Sequence, residues 1–233
     1  MKERLGPVLF FCLLGLHLAA IITHTEWLSH ATKPLLVPAL ILWLLHSTSR
    51  VTNPLKIQAL SALLFCWGGD VLLIFVPISA SFFLAGLSAF LIAHLFYLYC
   101  FLQIRKLQRL PLRLLLLIPV GLFCAAVLWL LTPWLGELKI PVIVYGTVIS
   151  LMLFAALQLG FSPKSNRLIA GGATLFVFSD ILLAWNKFRA PVSGADVLIM
   201  LSYGIAQYYL CQGIIGILNE QEARNKPLNK TTD

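Results

Sequence analysis

The chain is 233 residues long, 60% hydrophobic and only 11% charged, against about 25% charged residues in an ordinary soluble domain. That much apolar surface is more than a water-soluble core can hide, which excludes a soluble globular domain and predicts an all-α, polytopic membrane helix bundle. The formal charge of +8 does not argue for nucleic acid, because the basic residues sit between the apolar runs, where they set topology and meet anionic membrane lipids.

A span needs about 20 mostly apolar residues. Eight runs qualify, near 5–23, 34–48, 57–76, 82–103, 110–131, 140–159, 168–186 and 195–218, giving one transmembrane domain over 1–218. The first follows Lys2 and Arg4 as a signal peptide would, but no small-residue cleavage site comes after it, so it reads as a retained span. The second is short, with Pro34 and Pro38 near its start, where a helix best tolerates proline. The third, "ALLFCWGGDVLLIF" at 62–75, carries Asp70 in its middle; the seventh, "TLFVFSDILLAW" at 174–185, carries Asp180. The fourth holds His94, with Tyr97 one turn on along nearly the same face, and the eighth holds Tyr203 and Gln207 at i, i+4. Residues 219–233 are polar and read as a disordered tail; their "NKT" fits a glycosylation sequon but falls on the wrong side of the membrane. The five cysteines all lie inside apolar runs without metal-ligand spacing and read as small buried hydrophobes.

Loop charge sets the orientation. With eight spans both ends share a side, and that side holds thirteen lysines and arginines against four on the other, Lys33, Lys139, Lys187 and Arg189. Such a bias predicts both termini in the cytoplasm; in a bacterial cell the membrane would be the inner one. A faint repeat is also legible. "GDVLLIF" around Asp70 aligns with "SDILLAW" around Asp180, and "IAHLFY" (92–97) with "IAQYYL" (205–210), so His94 falls at the position of Gln207. Offsets of four spans predict two parallel halves of four helices each.

A carboxylate in hydrocarbon costs a few kcal/mol or more, and such groups face a bundle interior or a wet cavity. Asp70 and Asp180 each lie six residues from the outer end of their expected spans, about 9 Å below it. Two readings stand: both acids share one cavity, or each is hydrogen-bonded separately in a helix interface. His94 likewise is either a site residue or a packed one, while His17 and His46 read as packed. Gly68 and Gly69 allow close helix approach. Lys33, in "TKPLLVP" at the mouth of span two, suits an anionic head group, a buried aspartate, or simple snorkelling. Glu26, Asn186, Lys187 and Arg189 lie on the same side, as a polar rim or as plain loop residues. No Gly-rich phosphate loop, G-x-S-x-G elbow or H-E-x-x-H pair is present. Neither a metal nor another cofactor is expected.

Taken in order, "TKPLLVP", "LLFCWGGDVLL", "FFLAGLSAFLIAHLFY", "VIVYGTVISLML", "GGATLFVFSDILLAWNKF" and "LSYGIAQYYL" resemble the YhhN-like family of membrane proteins, which includes the lysoplasmalogenases, from about Lys33 to Gln212. The resemblance implies an eight-span fold and hydrolysis of the vinyl ether bond of a lysoplasmalogen, a lysophospholipid taken from the bilayer, to a fatty aldehyde and a glycerophospho-base. It carries the family's embedded acids onto Asp70 and Asp180, its AH-x-x-Y segment onto His94 and Tyr97, and its Lys-Pro onto Lys33 and Pro34. Vinyl ether hydrolysis starts with protonation of the β-carbon, and water then captures the resulting oxocarbenium ion. Two carboxyls flanking such a cation is the logic of glycosidases. In an apolar site the pair shares a proton readily, since ionising both is costly. Asp70, Asp180 and His94 are thus the expected catalytic residues, and Lys33, Tyr97, Tyr203, Gln207 and Asn186 the expected substrate-binding ones. Buried acids and parallel repeats also suit a proton-coupled transporter, and a lipid-binding scaffold is the third reading.

Overall fold

The computed structural model describes residues 5–225. Eight α-helices follow one another: α1 (Leu5–Ile22), α2 (Glu26–Ser47), α3 (Pro54–Ile74), α4 (Ser81–Leu107), α5 (Leu117–Leu131), α6 (Lys139–Gln158), α7 (Lys164–Phe188) and α8 (Ala195–Asn225), with short 3₁₀ turns on either side of α5 and before α6. No strand occurs among the described residues. Each helix, α5 and α6 taken with their flanking turns, is long and apolar enough to cross a membrane. The chain is therefore a multi-pass helical membrane protein, with the eight spans that hydropathy predicts.

Several helix boundaries differ from the sequence expectation, α5 starting at Leu117 rather than 110 among them, and two have a cause in the contacts. α2 begins at Glu26, eight residues before Pro34, and holds both prolines in its interior. A proline at 38 has no N–H to give the carbonyl four residues back. That carbonyl, of Pro34, instead accepts the indole N–H of Trp67 from α3 at 2.9 Å. A neighbouring helix thus repairs the break, as lipid-embedded backbone requires. α8 runs on to Asn225, seven residues past the end expected from hydropathy. Its last turns are tied down by polar contacts: Asn53 Nδ2 donates to Gln221 Oε1 at 2.6 Å, and Ser165 Oγ to Glu220 Oε1 at 3.2 Å. The sequon and the rest of the expected tail, 226–233, lie outside the described residues, as do Lys2 and Arg4.

The helix pairings repeat between the halves. α3 packs chiefly on α4 and α7 on α8; α1 meets α2 and α5 meets α6; α4 reaches across to α6 and α8 across to α2. The main core draws on every helix except α5, which has only Val120 and Leu131 buried. At the end where α4 stops, Gln108 and Asn166 exchange side-chain hydrogen bonds of 3.1 and 2.8 Å, which fixes the start of α7. The opposite end opens into a cavity.

Candidate active site

The cavity lies where α1 ends and α2 begins. It has a volume of about 540 Å³ and is walled by α1, α2, α3, α4, α7 and α8. Asp70 and Asp180 both line it, with Lys33 and Tyr203. Asp70 is 3% exposed and Asp180 15%. Their depths along the helices differ from the expected match. Asp70 is four residues short of Ile74, whereas Asp180 is eight short of Phe188, so about 6 and 12 Å from the respective helix ends. The reason is that α3 stops in a tight turn at Phe75, while α7 continues past the expected end of its span.

Asp70 is gripped by the other half of the molecule, and Asp180 by one residue from each half. On α3, Asp70 Oδ2 accepts the hydroxyl of Tyr203 from α8 at 2.7 Å. On α7, Asp180 Oδ2 accepts the hydroxyl of Tyr145 from α6 and lies 3.4 Å from His94 Nε2 on α4. Behind Tyr203 stands Gln207, whose Nε2 donates to the Tyr203 oxygen at 3.2 Å and whose Oε1 accepts the Tyr97 hydroxyl at 2.9 Å. Tyr97, Gln207, Tyr203 and Asp70 thus form one buried chain of hydrogen bonds.

The second chain is His94, Tyr145 and Asp180. His94 Nε2 and the Tyr145 oxygen are 2.9 Å apart. Since the Tyr145 proton goes to Asp180, the imidazole must donate, which puts its proton on Nε2. The remaining ring nitrogen, Nδ1, is buried without a partner. That is tolerable for a bare acceptor and costly for an N–H. Phe176 wedges between the two chains, edge-on to His94 at 4.7 Å and to Tyr203 at 5.4 Å, so both are held by packing as well as by hydrogen bonds.

Not every residue expected at the site is on its wall. Tyr97 and Gln207 are absent from the lining; side chains at these positions point between α4 and α8, and they reach the cavity only through Tyr203. Asn186 is not on the wall either, because its Oδ1 accepts the backbone N–H of Val192 at 2.9 Å and closes the turn after α7. Of the expected rim, Lys187 lies over the ring of Phe83, and Arg189 over Trp134 and Trp185, in cation–π contacts. Two residues were missed. Tyr145 lies in the "VIVYGTVISLML" stretch of the family resemblance but carried no further signal than a tyrosine within a span. His17, read as packed, lines the cavity and bonds Thr32 Oγ1 through Nδ1 at 2.8 Å. Lys33 forms no ion pair among the described residues and so leaves its charge available at the cavity. No three His, Cys, Asp or Glu side chains converge there, or elsewhere among the described residues, as a metal site would need.

Residues 28–214 match the YhhN family, a stretch that takes in both aspartates and the two hydrogen-bond chains that reach them, though not His17. This chain belongs to the YhhN family. Among curated proteins it is similar to the lysoplasmalogenase TMEM86B of Homo sapiens, 33% identical over 206 residues that cover 87% of this chain and 82% of that protein. The lysoplasmalogenase TMEM86B of Sus scrofa is 31% identical over 96% of this chain and 89% of its own length. The lysoplasmalogenase TMEM86A of Homo sapiens is 34% identical over 78% of this chain and 76% of its own. No solved structure matches the chain.

Proposed function

We propose that this YhhN family member is a membrane-embedded lysoplasmalogenase, hydrolysing the vinyl ether bond of a lysoplasmalogen with Asp70 and Asp180 as its two acting carboxyls. The observation that carries the reading is that both carboxyls line one cavity in a chain whose similar proteins are named lysoplasmalogenases. One carboxyl delivers its proton to the β-carbon, and the C=C electron pair becomes the new C–H bond. The ether oxygen then shares its lone pair with the neighbouring carbon as an oxocarbenium ion. Water adds to that carbon and its proton passes to the other carboxylate. The hemiacetal so formed breaks its bond to the glycerol oxygen, which leaves with that second proton, and the hemiacetal hydroxyl proton restores the first acid. The products are an aldehyde and a glycerophospho-base, at the cost of one water. Lys33 holds the phosphate end, and the loop charges support both termini in the cytoplasm, with the cavity opening on the other side.

Purified protein in lipid vesicles is expected to release free aldehyde from a lysoplasmalogen and nothing from the saturated alkyl-ether analogue, which has no double bond to protonate. Failure to release aldehyde, together with pH-gradient-driven uptake of a solute, would turn the reading to a carrier. Tyr145→Phe removes the hydroxyl that accepts a hydrogen bond from His94 and donates one to Asp180. Its kcat is expected to fall about 10²-fold, the scale of a positioned proton-transfer group, with KM little changed. Lys33→Met is expected to do the reverse, raising KM about tenfold, or ~1.4 kcal/mol, with kcat within about twofold of wild type; an unchanged KM would remove Lys33 from head-group binding.

A further inference from the structure

Beside the polar cavity runs a second, apolar recess between α4, α5, α6 and α7. The two share Leu73, Phe90, Asp180 and Leu183. Asp180 therefore stands where they meet, whereas Asp70 belongs to the polar cavity alone. Among the described residues Asp180 is also the only charged one on the recess wall, which is otherwise built from side chains such as Phe83, Leu87, Leu128, Val142 and Ala184. Its outer wall is α5, the helix that gives nothing to the main core and whose Leu122, Phe123 and Trp129 are exposed, as a lipid-facing helix would be. The recess thus lies at the edge of the bundle, next to the bilayer. Its free volume is about 80 Å³. At ~30 Å³ per water-sized group that is room for about three carbons, not for a whole fatty chain.

We propose that this recess seats the first few carbons of the alkenyl chain, the remainder running out along α5 into the bilayer. The inference rests on the lysoplasmalogenase reading. With the chain so placed, the vinyl ether spans the junction of the two spaces. The carbon that carries the chain, and takes the proton, lies against Asp180. The ether oxygen and the head group lie toward Asp70 and Lys33. Asp180 is then the proton donor, backed by Tyr145 and His94, and Asp70, held by Tyr203, is the carboxylate that faces the cation and takes the proton of the attacking water. The geometry also sets specificity. Bulk next to the double bond meets the recess wall, while length beyond it meets only lipid.

Two measurements test this. A saturated alkyl-ether lysophospholipid with a diazirine on about the third chain carbon is irradiated with the wild-type protein in phosphatidylcholine vesicles, and the adducts are mapped. They are expected on α5, α6 and α7, around Cys124, Leu128 and Ala184, and to vanish in excess unlabelled probe. Adducts confined to α1 or α2, or ones that do not compete, overturn the placement. In turnover, straight chains of about eight to about twenty carbons are expected to have kcat/KM values within about twofold of one another, and a methyl branch beside the double bond to lower kcat/KM at least about tenfold. Ala184→Phe, which fills the recess one turn from Asp180, is expected to lower kcat/KM for straight chains about tenfold, and Ala184→Val less. Equal turnover of branched and straight chains, or a steep dependence on length, overturns the proposal. If no chain of any kind yields aldehyde, the activity reading fails instead; the photolabel still decides where the chain lies, because its ether is never cleaved.

Discussion

Asp70→Asn and Asp180→Asn are each expected to lower aldehyde release from a lysoplasmalogen by about 10³-fold or more, with the folded protein retained. An amide has nearly the shape of a carboxyl group. It still accepts the Tyr203 or Tyr145 hydroxyl through its oxygen, so the hydrogen-bond chains that reach each position keep their acceptor. What it cannot do is give up a proton to carbon or carry the charge that steadies an oxocarbenium ion. The measurement is kcat on purified variants beside wild type, with a thermal melt in the same detergent to show that folding is intact. The double variant is expected to be little worse than either single one, because residues acting in one step do not add. Wild-type rates in both single variants would remove the two carboxyls from the mechanism. A loss in one only would leave a single acid with solvent water, and would make the shared cavity incidental.

The eight spans were legible because hydropathy acts along the chain, and a membrane demands it of every helix. Asp70 and Asp180 were legible for the complementary reason, that a charge inside an apolar run is expensive and so conspicuous. Tyr145 was invisible on the same logic. A tyrosine is ordinary in a span, and only the fold shows that its hydroxyl falls between His94 and Asp180. The start of α2 was misread because proline usually marks a helix end, and the repair by Trp67 comes from another helix 33 residues away. Tyr97 and Gln207 were named for the right region and the wrong layer. A helical face can be read from spacing, but whether that face meets a cavity or a neighbouring tyrosine depends on how α4 and α8 pack. Asn186 failed for a local reason: its amide had a backbone partner six residues on.

Gly172→Val is expected to abolish the folded protein, read as loss of the monodisperse peak in size-exclusion chromatography, while Gly171→Ala next to it leaves both peak and melting temperature within error. The contrast is steric. A Cβ at Gly172 would sit 2.9 Å from the carbonyl oxygen of Ala206 and equally close to Leu210, so α8 backbone lies directly against α7. The approach is reciprocal, since a Cβ at Gly213 would fall 2.8 Å from the carbonyl oxygen of Ser165 on α7. At Gly171 the nearest atom is a ring carbon of Tyr209 at 3.7 Å, an ordinary contact. Overpacking against movable side chains costs about 1–3 kcal/mol; backbone cannot turn aside, so α7 and α8 must part. That separation would also act at the site. Phe176 on α7 packs edge-on to Tyr203 on α8, and Tyr203 holds Asp70. The milder Gly172→Ala is therefore expected to lose activity before it loses its fold, with kcat down at least about tenfold in protein that still elutes as a single peak. If Gly172→Ala instead keeps full activity, the α7–α8 contact does not set the register of the two hydrogen-bond chains.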